Sequence, residues 1–154
     1  MINGYDKNFT FDELTNSTSF PELVKNNRKD AMQFVNSGKR LSKLLGSIRS
    51  IWNKPIKATS GFRNGTLNIA VGSKAKNSTH QKFEASDLLP PKGMTLNELF
   101  DGIMEAFKDG LLPDLRKVIR EDHRGICHVE VKMDASEETS FYTTKDNIKF
   151  KRKT

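Results

Sequence analysis

The stretch of sequence that decides the fold covers residues 60–88 and reads SGFRNGTLNIAVGSKAKNSTHQKFEASDL. It begins at the end of one predicted strand, residues 56–60, and ends in another, residues 83–88. His80 stands in the polar loop KNSTH, and Asp87 follows seven residues later in the apolar segment FEASDLL. One unit of loop and strand can therefore bring an imidazole and a carboxylate to the same place.

Two amphipathic helices flank this stretch. Before it, apolar residues recur at helical spacing and stop ahead of Asn53 and Pro55, which predicts a helix with an apolar stripe made of Leu41, Leu44, Leu45, Ile48, Ile51 and Trp52. After it, a second stripe follows a capping box from Thr95 to Glu98 and is closed by Gly110. Its members are Leu96, Leu99, Phe100, Ile103, Met104 and Phe107. Both stripes are predicted to face the core.

Further strands are predicted at residues 115–121, 126–133 and 147–151. Helices segregated from an antiparallel sheet make an α+β domain. The chain has 154 residues, the length of one domain. We therefore expect a single domain over residues 1–154, with helices packed on a small antiparallel sheet and a site in a cleft on that sheet. Residues 1–36 are expected to form a loosely structured arm that wraps the core, and residues 149–154 a frayed basic tail.

The charge is basic and unevenly placed. The net charge is +7, and residues 1–76 hold 13 Lys and Arg against 5 Asp and Glu. No acidic residue lies between Asp30 and Glu84. Such a surface suits a polyanion, which could be nucleic acid, anionic lipid or a bacterial wall polymer, although the same charge also serves solubility.

The first residues, the lack of a long apolar run and the cysteine content limit which classes of protein and of metal site are possible. The start, MINGYDKNFTFDEL, has no basic region leading into an apolar stretch, so we expect no secretory signal peptide and synthesis in the cytoplasm. No run of about 18 apolar residues predicts a membrane span. Cys127 is the single cysteine, so an intrachain disulfide is excluded and any metal site must use histidines and carboxylates.

The candidate metal ligands are His80, Asp87 and His128. Two histidines and one carboxylate are a common catalytic zinc set that leaves one position open for water. In the strand at 126–133, alternation places His128 on the face opposite Cys127, Val129 and Val131. A lone histidine or aspartate is more often a structural group than a ligand, so spacing alone leaves both interpretations open.

A general base is expected near His128. A two-residue turn at Arg124-Gly125 would pair Glu121 with His128, with opposed Cβ atoms about 4.5–5.5 Å apart. Asp122 would then face the other way. Glu130 is the competing carboxylate, as a partner of a ligand or as a substrate contact. A longer loop would change this register, because Arg-Gly is not the preferred pair for such a turn.

The motifs resemble a known family. Ser-Gly-Phe-Arg at 60–63, Asn-Ile-Ala-Val-Gly at 68–72, Ser-Thr-His at 78–80 and Ala-Ser-Asp at 85–87, followed by ICHVEV at 126–131, resemble the zinc-dependent D-alanyl-D-alanine carboxypeptidases and L-alanyl-D-glutamate endopeptidases. FTFDELTNSTS at 9–19 and WNKPIKATSGFR at 52–63 are similar to the short phage-associated branch of that family. Phe83, Ser86 and Ile126 depart from its usual Gly, Ala and Trp, and Gly125 stands where many members have an acidic residue.

This resemblance implies a zinc peptidase of peptidoglycan. It implies one Zn²⁺ per chain on His80, Asp87 and His128, with Glu121 as the base. It also implies that Arg63 contacts a substrate carbonyl or carboxylate and that Ser78 makes a minor substrate contact. The expected setting is phage lysis or the virion, with the enzyme reaching the wall after release.

The rival expectation is a basic binding module that has lost catalysis and holds nucleic acid or wall polymer. The acid-free stretch supports it. One Trp, two Tyr and the absence of a nucleic-acid motif count against it. We therefore expect peptidoglycan as the partner, with no nucleic acid and no membrane, and a monomer because the sequence has no heptads and no large exposed apolar run.

Overall fold

The computed structural model describes residues 2–74, 77–144 and 150–153. The α-helices within these residues are α1 (Phe11–Leu14), α2 (Val24–Ala31), α3 (Val35–Trp52), α4 (Gly65–Ala70) and α5 (Leu96–Lys108). Short 3-10 helices cover Pro21–Leu23, Met32–Phe34 and Thr79–Lys82. The strands are β1 (Lys57–Ser60), β2 (Ala85–Leu89), β3 (Leu115–Glu121), β4 (Ile126–Val131), β5 (Ser140–Thr144) and β6 (Phe150–Lys153).

The strands form one sheet in the order β1-β2-β4-β3-β5-β6. The α+β class is confirmed, but the sheet is not wholly antiparallel, because β3 and β5 run parallel. After β4, the chain crosses the end of the sheet at which β3 begins, and β5 then pairs with the edge of β3 that faces away from β4. There, Thr139 Oγ1 donates a hydrogen bond to the carbonyl of Leu115. A strand that is antiparallel to β4 and lies beyond β3 must run parallel to β3.

The two faces of the sheet differ in what they bury. Cys127, Val129 and Val131 of β4 belong to the hydrophobic core, on which α3 and α5 pack. The other face of β4 carries Ile126, His128 and Glu130, which are also buried. The alternation predicted for this strand is therefore observed, and the polar face is free to hold a site.

The two predicted helices are present with close to their predicted bounds. The first ends at Trp52, and Asn53 caps it in the left-handed conformation with φ 50°. The second begins at Leu96 behind the predicted capping box, with Thr95 accepting from the Glu98 amide and Glu98 accepting from the Thr95 amide. Strong helical periodicity and local capping chemistry explain the agreement.

The described residues near the two ends of the chain form more regular structure than the sequence suggested. The first 36 residues hold α1, α2 and two 3-10 helices, and Phe9, Phe11 and Leu14 enter the core. At the other end, residues 150–153 pair with β5 as an edge strand where a frayed tail was expected. The strand predicted at 147–151 lies partly outside the described residues, and β5 was not predicted.

Within the described part of the chain, no helix combines the length and the apolar character that crossing a bilayer requires.

Candidate metal centre

Three neighbouring elements bring the candidate ligands together. Asp87 of β2 stands directly opposite His128 of β4 in the antiparallel ladder. His80 comes from the 3-10 helix Thr79–Lys82, which precedes β2. The backbone amide of Arg63 donates to the carbonyl of His80 at 3.0 Å, which fixes this helix against the motif that follows β1.

The distances between the three side chains suit a small metal ion. Their ligand atoms all lie within 4.8 Å of one another. His128 Nδ1 is 3.1 Å and His80 Nε2 is 3.3 Å from the same oxygen, Asp87 Oδ1. Ligands held about 2.0–2.1 Å from a tetrahedral zinc ion stand roughly 3.3 Å apart. The three groups therefore have room for an ion with little movement.

Each histidine has its second ring nitrogen engaged by an acceptor. His80 Nδ1 lies 2.8 Å from the carbonyl oxygen of Gly61, and His128 Nε2 lies 2.8 Å from Glu130 Oε2. Because these oxygens accept, His80 Nδ1 and His128 Nε2 carry the protons. His80 Nε2 and His128 Nδ1 are then the ring nitrogens that face Asp87 and that a metal ion would use. Acceptors placed in this way orient metal-binding histidines.

The electrostatics of the cluster favour a cation at its centre. Burial on its own raises the pKa of Asp87, but the charge interaction with His80 and the hydrogen bonds to both histidines lower it well below its usual range. Burial lowers the pKa of His128, whereas its bonds to Asp87 and Glu130 raise it to about 9. Two buried carboxylates thus hold a positive charge between them, which a proton on His128 or a metal ion replacing that proton supplies.

Glu130 has both of its oxygens in use. Oε2 accepts from Thr79 Oγ1 at 3.1 Å as well as from His128, and Oε1 accepts from Arg116 Nε at 3.2 Å. Burial favours the neutral acid, but the hydrogen bond to His128 and the nearby cations lower the pKa of Glu130 to about 2. A carboxylate held in this way supports His128 and is poorly placed to take a proton.

The hairpin between β3 and β4 has a different register from the predicted one. Ile119 lies opposite His128, and Glu121 lies opposite Ile126. The connection is a four-residue loop, residues 122–125, instead of a two-residue turn. The shift of two residues keeps Glu121 on the face of His128 but places it two residue pairs along the ladder from that ligand. Asp122, by contrast, pairs with Arg120 at 2.9 Å.

Arg63 and Arg124 line a cavity of about 240 Å³ beside the cluster. Its remaining lining is largely hydroxyl-bearing or polar and consists of Asn16, Ser17, Thr18, Ser19, Thr59, Ser60, Leu67 and Val71. Arg63 Nη1 donates to Ser60 Oγ at 3.2 Å, while its buried Nε has no hydrogen-bond partner among the described residues. Burial lowers the pKa of Arg63; the negative charge of Asp87 raises it, and the positive charge of Arg124 lowers it further. Arg63 thus places a guanidinium with one unused donor at the wall of the cavity.

Ser78 caps the helix that carries His80. Its Oγ accepts from the His80 amide at 3.2 Å, and Gln81 Oε1 accepts from the Ser78 amide in return. At the other end of this helix, Phe83 adopts the left-handed conformation with φ 61°, a region in which glycine is favoured. The departure of Phe83 from the family's usual glycine therefore falls where the backbone is glycine-like.

The structure also identifies residues that the sequence did not single out. The carbonyl of Gly61 supplies the acceptor for His80. A Cβ at this position would lie 2.3 Å from the carbonyl oxygen of Leu14, so only glycine fits there. The position of Gly61 in the Ser-Gly-Phe-Arg motif was the feature of the sequence that could have identified it. Arg116 sits at a register shift in β3, and Arg124 binds both Asp87 and Glu121. Nothing in the spacing of the sequence pointed to those two roles.

Two imidazoles and a carboxylate, buried, mutually close and oriented by acceptors behind them, have the donor set of a transition-metal site. Comparison with protein-family models agrees with this class of site. The model of Peptidase M15 matches residues 7–109, about two thirds of the chain. The matched region includes His80, Asp87, Arg63 and Ser78 and ends before β3 and β4.

The chain belongs to the Peptidase M15 family, a family of zinc-dependent metallopeptidases, and the family resemblance seen in the sequence is thereby confirmed. None of the curated proteins compared with the chain matches it.

Proposed function

We propose that the chain is a zinc-dependent hydrolase of peptide bonds in peptidoglycan stem peptides or cross-links, of the carboxypeptidase or endopeptidase type. The observation that supports it most strongly is the convergence of His80 Nε2, Asp87 Oδ1 and His128 Nδ1 in a member of the M15 family. We assign one zinc ion per chain to these ligands. When bound, zinc supplies Lewis-acid activation of water and of the scissile carbonyl at neutral pH.

The protein's own groups carry the proton transfer in this proposal. Glu121 is the general base: its carboxylate takes a proton from the attacking water and passes it to the leaving amine. Glu130 is the less suitable base because His128, Thr79 and Arg116 occupy both of its oxygens. Gly125 ends the loop with φ 67°, a conformation that favours glycine. At this position, where many family members have an acidic residue, the chain therefore has a residue that suits the backbone conformation and has no carboxylate.

Arg63 is the proposed electrostatic partner of the substrate. Its unpartnered, buried Nε and its place in the cavity beside Asp87 suit a carbonyl oxygen that gains negative charge, or a substrate carboxylate. Ser78 remains a proposed minor contact, and its hydroxyl proton is available because Oγ acts as an acceptor in the helix cap.

The proposed partner is bacterial peptidoglycan, with the protein acting as a monomer and binding neither nucleic acid nor membrane. A net charge of +7 favours association with a wall that bears phosphate and carboxylate groups. We further propose a phage lysis or virion-associated role, in which a protein made in the cytoplasm reaches the wall after release.

The deciding experiment measures zinc content and hydrolysis of purified peptidoglycan in the same samples. We expect about one zinc per chain, together with release of amines and loss of turbidity. The variant His80→Ala/Asp87→Ala should lose both, whereas the matched variant His123→Ala/Asp101→Ala, which removes an exposed histidine and an exposed aspartate, should lose neither. Glu121→Gln should keep zinc and lose hydrolysis. An active Glu121→Gln, or that phenotype in Glu130→Gln instead, would contradict the base assignment.

The second candidate is a basic binding module without catalysis. It is favoured by the acid-free stretch from Ala31 to Phe83 and by the exposed cations Arg40 and Lys43 on α3. A wild-type protein that leaves the wall intact, but binds wall polymer or nucleic acid equally well after His80→Ala/Asp87→Ala, would establish this alternative.

A further inference from the structure

Arg124 connects the proposed base to a proposed ligand. Its Nη1 donates to Glu121 Oε1 and its Nη2 to Asp87 Oδ2, each at 3.1 Å. Asp87 Oδ1, the other oxygen of the same carboxylate, faces the two histidines. One guanidinium therefore joins the outer oxygen of Asp87 to the carboxylate of Glu121.

The register of the hairpin explains why such a connection is needed. Glu121 lies opposite Ile126 and not opposite His128, so strand pairing does not place its carboxylate beside the ligands. Arg124 belongs to the loop 122–125, where its backbone amide donates to the carbonyl of Glu121 at 3.0 Å. The loop thus folds back so that the Arg124 guanidinium lies beside Glu121 at the end of β3.

The environment distinguishes this contact from an ordinary surface ion pair. The Arg124 side chain is 44% exposed, but the carboxylates it joins are 0% exposed at Asp87 and 15% exposed at Glu121. Exposed ion pairs contribute little order. Here, Asp87 is fixed by the ladder and by two histidines, so it provides a rigid anchor. The planar fork of arginine can hold two carboxylates at once, which the single ammonium of lysine does less well.

We propose that Arg124 is a positioning residue that holds Glu121 in its catalytic place, with Asp87 as the anchor. The proposal rests on the proposed function, because it assigns Arg124 an effect through Glu121. It is separate from substrate binding, which is assigned to Arg63, and from metal coordination, which is assigned to His80, Asp87 and His128.

The test compares Arg124→Gln and Arg124→Lys with Arg120→Gln, the matched loss of an arginine on the same hairpin. Arg120 pairs with Asp122 and lies over the ring of Phe100, away from the ligands. On peptidoglycan hydrolysis we expect Arg124→Gln to lower kcat by about 10- to 100-fold, the usual effect of losing such a supporting partner, with KM little changed. Arg124→Lys should restore part of the loss, and Arg120→Gln should leave kcat as in the wild type.

Two further measurements separate positioning from other roles. In a Glu121→Asp background, whose shorter side chain already breaks the contact, Arg124→Gln should cost much less than it does in the wild type. Zinc affinity, measured by competition with a chelator, should fall by less than the roughly 10-fold expected when a ligand loses its support.

Unchanged kcat in Arg124→Gln, additive effects with Glu121→Asp, a rise in KM alone, or a large loss of zinc affinity would each overturn the proposal. Failure of the proposed function is distinguishable from all of these, because then the wild-type protein itself would not hydrolyse the wall.

Discussion

His80 and His128 face the same oxygen of Asp87, yet two different kinds of structure hold them. The loop side, residues 60–74 and 77–83, carries His80 on a one-turn helix and orients it with the backbone carbonyl of Gly61. The sheet side, strands β2, β3 and β4, carries His128 in the middle of a ladder and orients it with a carboxylate, Glu130, that Arg116 holds in turn.

This difference predicts how substitutions on each side should affect fold stability and metal affinity. Loop-side geometry depends on packing, because Phe83 beneath the helix lies among the rings of Tyr5, Phe11 and Phe62. Sheet-side geometry depends on charge, because Arg116 also binds Glu84 and Glu137, while the strand itself is fixed by its neighbours. Loop-side changes should therefore lower fold stability and metal affinity together, and changes of charge on the sheet side should lower metal affinity more strongly than fold stability.

Phe83→Ala should have the largest effect on stability. Phe83 is fully buried, and truncation of a buried phenylalanine costs about 3–5 kcal/mol in the free energy of unfolding. Zinc affinity should also fall, because the Phe83 ring anchors the end of the helix that carries His80, where the His80 carbonyl accepts from the Phe83 amide. Urea unfolding and chelator competition measure the two quantities.

The matched control is Phe100→Ala, which removes an almost equally buried ring of α5 that packs against Phe141 and not against the loop side. It should cost a similar free energy and leave the zinc affinity of the folded protein unchanged. Phe83→Gly sharpens the comparison: it removes the same ring but suits φ 61°, so it should be about 1 kcal/mol less destabilising than Phe83→Ala. Equal zinc affinities in Phe83→Ala and Phe100→Ala would show that loop packing does not hold His80.

Glu130→Gln should have the next largest effect, on metal binding. The amide oxygen of glutamine still accepts from His128 Nε2, but the negative charge is lost, so zinc affinity should fall by about 10- to 100-fold. Its matched control is Glu137→Gln, since Glu137 binds the same Arg116 at 3.3 Å without touching His128. Chelator competition should show the loss in the first variant alone. Equal losses in both would place the effect in the charge of the network and not in the bond to His128.

Periodicity and local chemistry made much of the fold predictable. The bounds of β3 and the end of α3 agree with the sequence because alternation, apolar spacing and capping act over a few residues. β5 was missed because SFYTT offers little contrast between its two faces, and its parallel pairing depends on how the chain passes β3. The hairpin register was wrong for a physical reason: the favoured two-residue turns need positive φ at the first central residue, and type I′ at both, but Arg124, the first, does not adopt it.

The candidate site divides in the same way. His80, Asp87 and His128 could be proposed as a set from the sequence, because the motifs contain these residue types and strand alternation gives the face of His128. The sequence could not assign Arg116 or Arg124, because their roles arise from a bulge and a loop whose geometry no short pattern encodes. Long arginine side chains reach partners far away in sequence, 37 residues between Arg124 and Asp87, so their contacts follow from the fold.

Ser78→Ala should have the smallest effect and tests the comparison most finely. Ser78 and Thr95 both form a capping box, with Gln81 and Glu98 respectively, so Ser78→Ala and Thr95→Ala remove the same kind of bond at a cost of about 1 kcal/mol each. Only the first cap orders the helix that carries His80. Thermal unfolding should therefore show similar losses, while chelator competition should show weaker zinc binding in Ser78→Ala alone. If both variants keep wild-type zinc affinity, the carbonyl of Gly61 suffices to orient His80, and the loop side is more rigid than its single helical turn suggests.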